Sequence, residues 1–373
     1  MRSGVWLVLD LDADKRGSME QQLIALARGL GGHRIPVTMY FAAKPSAFPG
    51  DELRKLSVDL RDLPFHRPAL AARTLLAHAL EERPDLVHLH FVRPYSPLVA
   101  AAAASGAKIV VHDHVSLVPR SGLRQAFKLA RGRLLNPLVD LRLAVSEHAA
   151  ATVRDAHGVA PDRVRVVENA IDLSRFNNGD RSRLRDDLRV GRSKLVVSVA
   201  RLEEEKGGGA LLRAFARVGG DAHLALVGKG SREHAWKRLA SDLGIGFRVH
   251  FLGLRNDVEH VLAASDLVVV PSQWEEAFGL AVIEAMAAGK PIVVTRSGAM
   301  PTIVGDAGMV VPKHDLDAMA SAIREMLADE TRAAELAAKG RARVEARYGM
   351  ERYVRETLAI YSELMPRRWP RAA

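Results

Sequence analysis

Two textures alternate along this chain. Short β-branched runs recur, each followed by a turn and then by a longer stretch with leucines and alanines at helical spacing. The clearest instance is Asp266–Thr295. Leu267–Val270 reads as a buried parallel strand, and Pro271-Ser272 breaks it. The loop Gln273–Gly279 carries two acids, Glu275 and Glu276. Leu280–Ala288 is almost wholly apolar and rich in helix formers, with Gly289 as its stop. Pro291 then opens another strand, Ile292–Thr295. Strand, loop, helix, strand is one βαβ unit.

The same alternation runs from end to end. In the first half the pattern predicts strands at Val5–Leu11, Pro36–Phe41, Asp85–His90, Lys108–His112, Leu143–Val145 and Val164–Val167. Helices are expected at Ser18–Gly31, Pro68–Glu82 and Pro97–Ser105, with a helix and loop over Asp51–Leu63 and Ser146 as an N-cap. The polar, basic stretch Asn177–Arg192 reads as a linker. Strands resume at Lys194–Ala200, His223–Val227 and Arg248–Leu252, and Gly308–Val311 with Asp315 completes the domain. Helices are expected at Ala210–Val218, Val258–Ala264, Leu316–Leu327, Thr331–Ala346 and Tyr348–Leu364, and the tail after Leu364 is expected to fray. Such alternation predicts the α/β class with parallel sheets, in two Rossmann-like domains over residues 1–172 and 173–346, followed by a C-terminal segment, 347–373.

Composition narrows the function classes. The chain has 373 residues, 48% of them hydrophobic, so two ordinary domains fit. It has no cysteine, which excludes disulfides and thiolate-bound metals and suits a reducing cytosol. The start, Met1–Gly17, holds a short apolar run followed by charges and reads as a first strand rather than a signal peptide. No segment approaches the ~20 apolar residues of a membrane span. The expected location is therefore cytoplasmic. A net charge of +10 favours anionic partners. No helix-turn-helix, zinc-finger or RNA-binding pattern accompanies it, so no specific nucleic acid is expected. Arg120, Arg124, Lys128 and Arg131 fall on one helical face, with Leu123, Phe127 and Leu134 on another. Three readings stay open for Arg120–Arg133: a peripheral helix at the inner membrane face serving a lipid acceptor, a solvated basic face, or a lining for an anionic acceptor.

Candidate chemistry gathers at strand ends, where open α/β sheets bind ligands. Glu284 lies on the apolar helix after Gly279, where a carboxylate is costly unless it receives hydrogen bonds. Glu276 precedes it in the loop, and the amides of Phe278, Gly279 and Leu280 open the helix at a place suited to an anion. Arg201, then Lys206 at the glycine-rich entry Gly207-Gly208-Gly209, provides a fork and a compact charge for a diphosphate. Gly17, at the first strand-to-helix turn, permits close approach to an anion. Gly228-Lys229-Gly230 is too sparse for a dinucleotide fingerprint. His90 and His112 end adjacent strands, with His114 beyond; no third metal ligand is evident, and no metal is expected.

Glu276-x7-Glu284 enclosing Phe278-Gly279-Leu280, and followed by Ala285-Met286-Ala287-Ala288-Gly289, resembles the signature of the retaining glycosyltransferases of family 4. The side signals follow in the family's order over nearly the whole chain. The resemblance implies the GT-B fold, two Rossmann-like domains facing each other across a cleft, with the terminal helix crossing back onto the first. It implies transfer of a sugar from a nucleoside-diphosphate sugar to a small-molecule or lipid acceptor, with no metal or other cofactor. Arg201 and Lys206 would neutralise the diphosphate. Glu284 would bind the ribose diol. Glu276 and the amides at 278–280 would hold sugar and phosphate, Gly228 would lie near the nucleotide, and His112 beside the donor sugar. Ala170 and Ala299 stand where the family usually has glycine, and Thr302 where it has Glu. A nucleotide-sugar 2-epimerase, or a non-catalytic nucleotide-sugar-binding subunit, would use the same scaffold. Sugar, base and acceptor are not written in these motifs.

Overall fold

The structure is a computed structural model. It describes residues 4–13, 16–92, 96–116, 122–177, 179–367 and 369. The chain divides into two units, 1–170 with 350–373, and 171–349.

The first unit runs β1 (Val5–Leu9), α1 (Ser18–Gly32), β2 (Val37–Phe41), α2 (Gly50–Lys55), β3 (Asp59–Asp62), α3 (Pro68–Glu82), β4 (Leu86–His90), α4 (Pro97–Ala103), β5 (Lys108–Asp113), α5 (Leu123–Leu135), β6 (Leu141–Ala144), α6 (Glu147–His157) and β7 (Val164–Val166). The second runs α7 (Ser182–Asp187), β8 (Leu195–Val199), α8 (Gly208–Ala216), β9 (His223–Val227), α9 (Glu233–Asp242), β10 (Val249–Gly253), α10 (Val258–Ala264), β11 (Leu267–Val270), α11 (Leu280–Ala287), β12 (Ile292–Thr295), α12 (Met300–Val304), β13 (Met309–Val311), α13 (Leu316–Ala328) and α14 (Glu330–Arg347). The last helix, α15 (Met350–Leu364), belongs to the first unit.

Both sheets pair in parallel, in the orders β3-β2-β1-β4-β5-β6-β7 and β10-β9-β8-β11-β12-β13. Each winds outward from its first strand and then restarts on the other side. The places where that order reverses, β1/β4 and β8/β11, are where such sheets open a crevice beyond their strand ends. Central strands read as unbroken apolar runs because helices cover both faces: Val5–Leu9 and Leu267–Val270 are buried throughout.

Four expectations are corrected. Asp59–Asp62 is an edge strand, pairing with β2 rather than forming loop. Asn177–Arg192 is not a linker: within it α7 folds onto the second unit, where buried Arg185 donates to the carbonyls of Ala264, Gly191 and Ser193 and pairs with Asp266 at 3.1 Å. After Thr295, where the pattern predicts no element, the chain forms α12, with Pro301 in its first turn. The expected frayed tail is anchored at Trp369, whose ring lies 4.7 Å from that of His33.

Candidate functional site

In the second unit, the loops after β8 and β11 meet because these strands are neighbours. The chain leaves β8 through Arg201 and turns at Gly207 into α8. Gly207 has φ +75, and a Cβ there would lie 1.9 Å from the Pro271 carbonyl oxygen. Only glycine lets the β8 loop press this close to the β11 loop. The amides of Gln273 and Trp274 both donate to the Glu205 carbonyl, at 2.8 and 3.2 Å.

That contact brings two of the sequence candidates together. Lys206 Nζ donates to Glu276 Oε1 at 2.7 Å, and Ser272 Oγ donates to the same oxygen at 2.6 Å. Both charged side chains are mostly buried, 22% and 15% exposed. The Glu276 backbone is held as well: its carbonyl accepts from the Ala299 amide at 2.9 Å. Next to it, Glu275 accepts from the Gly298 amide and pairs with Lys313. Arg201 stands differently. Its guanidinium is 68% exposed and bridges to Glu205, four residues on, at 3.1 Å. The two cations are therefore not presented as one vacant clamp. Lys206 is fixed by a carboxylate, and Arg201 is a surface side chain able to swing.

Gly279, at φ +112, is the N-cap of α11, and Leu280 begins the helix. Phe278 is buried, its ring edge-on to Tyr348 at 5.6 Å. Glu284 is half-buried rather than sunk in the core. α11 is not apolar all round in its surroundings: Leu280, Ala281, Glu284 and Ala288 form a half-exposed stripe at helical spacing. Gly228 follows β9 at φ +136, where a Cβ would lie 2.0 Å from the Ala200 carbonyl oxygen. That glycine lets the β9 loop run against the β8 loop.

In the first unit, Gly17 is the N-cap of α1 with an ordinary extended φ of −91, so no left-handed turn demands glycine there. Asp14 and Lys15 of this loop lie outside the described residues. His112, near the end of β5, is buried, and so are His88 and His90. Burial pushes the His112 imidazole down to about 3, and it holds His88 and His90 well below the usual histidine range. All three are neutral near pH 7. Between His112 and His114, Asp113 receives a bidentate pair from buried Arg142, Nε to Oδ2 at 2.9 Å and Nη2 to Oδ1 at 2.7 Å.

Sequence reasoning missed three of these groups. His88 was legible as the inner member of His88-Leu89-His90, since alternate strand residues share a face. Arg142 was legible as a cation within the apolar run Leu141–Ala144. Tyr361, whose Oη lies 2.6 Å from His88 Nδ1, carried no such signal, because the contact joins residues 273 apart in the chain. Of the basic stretch, Arg120 lies outside the described residues, as do the side chains of Arg124, Lys128, Arg131 and Arg133. Phe127 and Leu134 of α5 are exposed. Among the described residues no helix is long and apolar enough to cross a membrane.

Comparison with known proteins fits this geometry. The Glycosyltransferase Family 4 model matches residues 19–175, and the model of glycosyl transferases group 1 matches residues 180–343. N-acetyl-alpha-D-glucosaminyl L-malate synthase of Bacillus anthracis is 28% identical over 298 residues, 77% of this chain and 77% of that protein. D-inositol 3-phosphate glycosyltransferase of Mycolicibacterium gilvum is 31% identical over 299 residues, 73% of this chain and 65% of that one. Its counterpart from Mycobacterium bovis is 30% identical over 346 residues, 83% and 71%. Among solved structures, Anabaena HepE in complex with UDP superposes with a TM-score of 0.82 at 23% identity, over 96% of this chain and 100% of that one, a likeness of fold. The chain belongs to the family 4 glycosyltransferases of GT-B fold, enzymes that move a sugar from a nucleotide-sugar donor to an acceptor.

Proposed function

We propose that this chain is a retaining, metal-independent hexosyltransferase using a UDP-sugar. One observation carries the reading: the Lys206–Glu276 ion pair, mostly buried at the carboxyl ends of neighbouring strands β8 and β11 and followed by the N-terminus of α11. A diphosphate arriving there takes the Lys206 ammonium as a partner. The Glu276 carboxylate, still held by Ser272, turns to the sugar hydroxyls. Arg201, exposed and bridged to Glu205, swings in as the second cation. The amides of Phe278, Gly279 and Leu280 add donors to a phosphate, Gly228 lets the nucleotide approach, and Glu284 accepts from the ribose diol.

Charge growing on the departing diphosphate is what these groups stabilise. Side chains do here what a divalent ion does elsewhere, so no metal is assigned to the diphosphate. In the retaining course supported by the family resemblance, the acceptor attacks from the leaving-group side and its proton passes to a donor phosphate oxygen. No protein nucleophile is needed. His112, neutral and buried, is the group of the first unit given to the donor sugar by the same resemblance. The uridine base is suggested by HepE, which binds UDP and UDP-glucose. The inositol-phosphate relatives are named glycosyltransferases, which favours transfer over 2-epimerisation and over a non-catalytic role. A panel of UDP-, GDP- and ADP-sugars, assayed with EDTA present, tests this. Turnover only with added Mg2+ would overturn the metal-independent reading, and an inverted product anomer the retaining one.

A second reading concerns the acceptor. Phe127 is 63% and Leu134 74% exposed on α5, whose sequence is strongly basic. Exposed apolar side chains on a helix of basic sequence suit an anionic membrane surface and a lipid-linked acceptor. Sedimentation with anionic but not neutral vesicles, lost in Phe127→Ser/Leu134→Ser, supports it; equal recovery in the supernatant refutes it.

A further inference from the structure

β4 and β5 end in a nest of imidazoles. His88 and His90 share one face of β4, and the register of the two strands sets His90 opposite His112. The His88 ring lies 4.0 Å from that of His90 and is nearly parallel to that of His112, at 5.3 Å. Hydrogen bonding engages these rings from outside. Tyr361 Oη lies 2.6 Å from His88 Nδ1, and His114 Nε2 lies 3.1 Å from His90 Nδ1. What remains is Nε2 of His88, Nε2 of His90, both nitrogens of His112 and Nδ1 of His114, all buried and without a hydrogen-bond partner among the described residues. Each such group left bare costs about 1–3 kcal/mol, so a cluster of them calls for an occupant.

The chemistry of the occupant follows from the donors. Neutral imidazole offers a lone pair, and three of these residues bring ligand nitrogens within 4.8 Å of one another. One ring nitrogen fixed by an outer hydrogen bond, with the other left for an ion, is the usual arrangement of a metal-bound histidine. Nitrogen ligands select the borderline divalent ions, and Mg2+ or Ca2+ would want oxygen. We propose that His88, His90 and His112 form a tris-imidazole site for Zn2+, with Tyr361 as the outer partner that orients His88. At Zn–N lengths of about 2.0–2.1 Å, tetrahedral ligands stand about 3.3 Å apart, so the rings draw in by up to about 1.5 Å around the ion. An uncharged donor set leaves the ion its full charge, and the fourth position suits water or an anionic oxygen. Alternation along β4 puts His88 on the face of His90, and the register with β5 brings both to His112. The inference is drawn from β4, β5 and α15 alone and does not depend on the glycosyltransferase reading.

The test uses the untagged full chain, stripped with a chelator, dialysed, and read by elemental analysis, by Zn2+ titration and by the visible spectrum of the Co2+ form. Expected are one tightly held equivalent, a tetrahedral Co2+ spectrum and a raised Tm. His88→Gln abolishes binding, and Tyr361→Phe weakens it about 10- to 100-fold. The rival locus is the His223–His250 pair, Nδ1 to Nε2 at 2.9 Å, so His223→Gln must leave binding unchanged. Negligible uptake by the wild-type chain overturns the proposal, as does binding that survives His88→Gln or is lost in His223→Gln. If His88→Gln does not fold, the wild-type Co2+ spectrum and Tyr361→Phe decide: an octahedral spectrum, or unchanged affinity, refutes the site.

Discussion

Where β4 and β5 end, the first unit gathers imidazoles that burial keeps uncharged. Where β8 and β11 end, the second gathers an ammonium, a guanidinium and carboxylates, with Lys206 and Glu276 locked together at 2.7 Å. The two sheets share a parallel, outward-wound order, and both place these groups beside the reversal of that order. The difference therefore lies in a few residues beyond each strand, which is how one architecture hosts unlike chemistry. A charged edge suits the charged leaving group proposed for it. A neutral edge tolerates burial and keeps lone pairs available.

The contrast is sharpest where the neutral edge hides a strong charge pair, Arg142 with Asp113. Arg142→Met leaves Asp113 buried and unpartnered, and unfolding free energy should fall by about 3–5 kcal/mol in denaturant titration. Arg142→Met/Asp113→Leu should recover most of that loss. Equal destabilisation by the double variant would mean that the pair organises the edge beyond its own charges. In the second unit, Lys206→Ala should lower kcat/KM about 10²- to 10³-fold with the fold intact by circular dichroism. Full activity would remove Lys206 from the chemistry.

Acid separates the two edges by a gentler effect. In protein free of divalent ions, His112 titrates at about 3 when folded and near 6.5 when unfolded. The unfolded chain thus takes up protons first as pH falls, and stability declines from about 6.5 downwards. A pH series of Tm values should show this slope, flattened in His112→Asn. An unchanged slope would mean that the imidazole is hydrated or charged in the folded chain. The smallest effect is expected at the exposed Arg201–Glu205 bridge. Glu205→Gln should shift stability by well under 1 kcal/mol, as exposed pairs of this kind do. A larger loss of Tm would show that Arg201 is built into the loop rather than tethered to it.

Strands and helices with a buried face were readable in advance because period and burial agree: Pro68–Glu82, Leu267–Val270 and Ile292–Thr295 stand where the pattern put them. β3 escaped because Asp59–Asp62 is polar and lies at a sheet edge, where no core face imposes a pattern. α7 reads as linker in the sequence because its anchor is Arg185, a cation that the sequence marks as surface and that the fold buries on carbonyl groups. At the candidate site, residue types were legible and pairings were not. Nothing local says that Lys206 meets Glu276, because a glycine packed on Pro271 decides it. The depth expected for Glu284 was overstated, since an apolar sequence does not say whether a helix is covered on every side.

The last helix has a consequence for how the molecule is made. α15 supplies Tyr353, Leu358, Ile360 and Tyr361 to the core that also contains β1, β2 and α1. A ribosome delivers those residues only after the whole of Ile171–Gly349. At roughly 5–20 residues per second, the first-made sheet waits roughly ten to forty seconds with one flank bare. The later-made unit is continuous in the chain and has all its parts as soon as it emerges. Birth order and completion order are thus reversed, and a nascent chain stalled before Met350 displays a greasy α1 to chaperones.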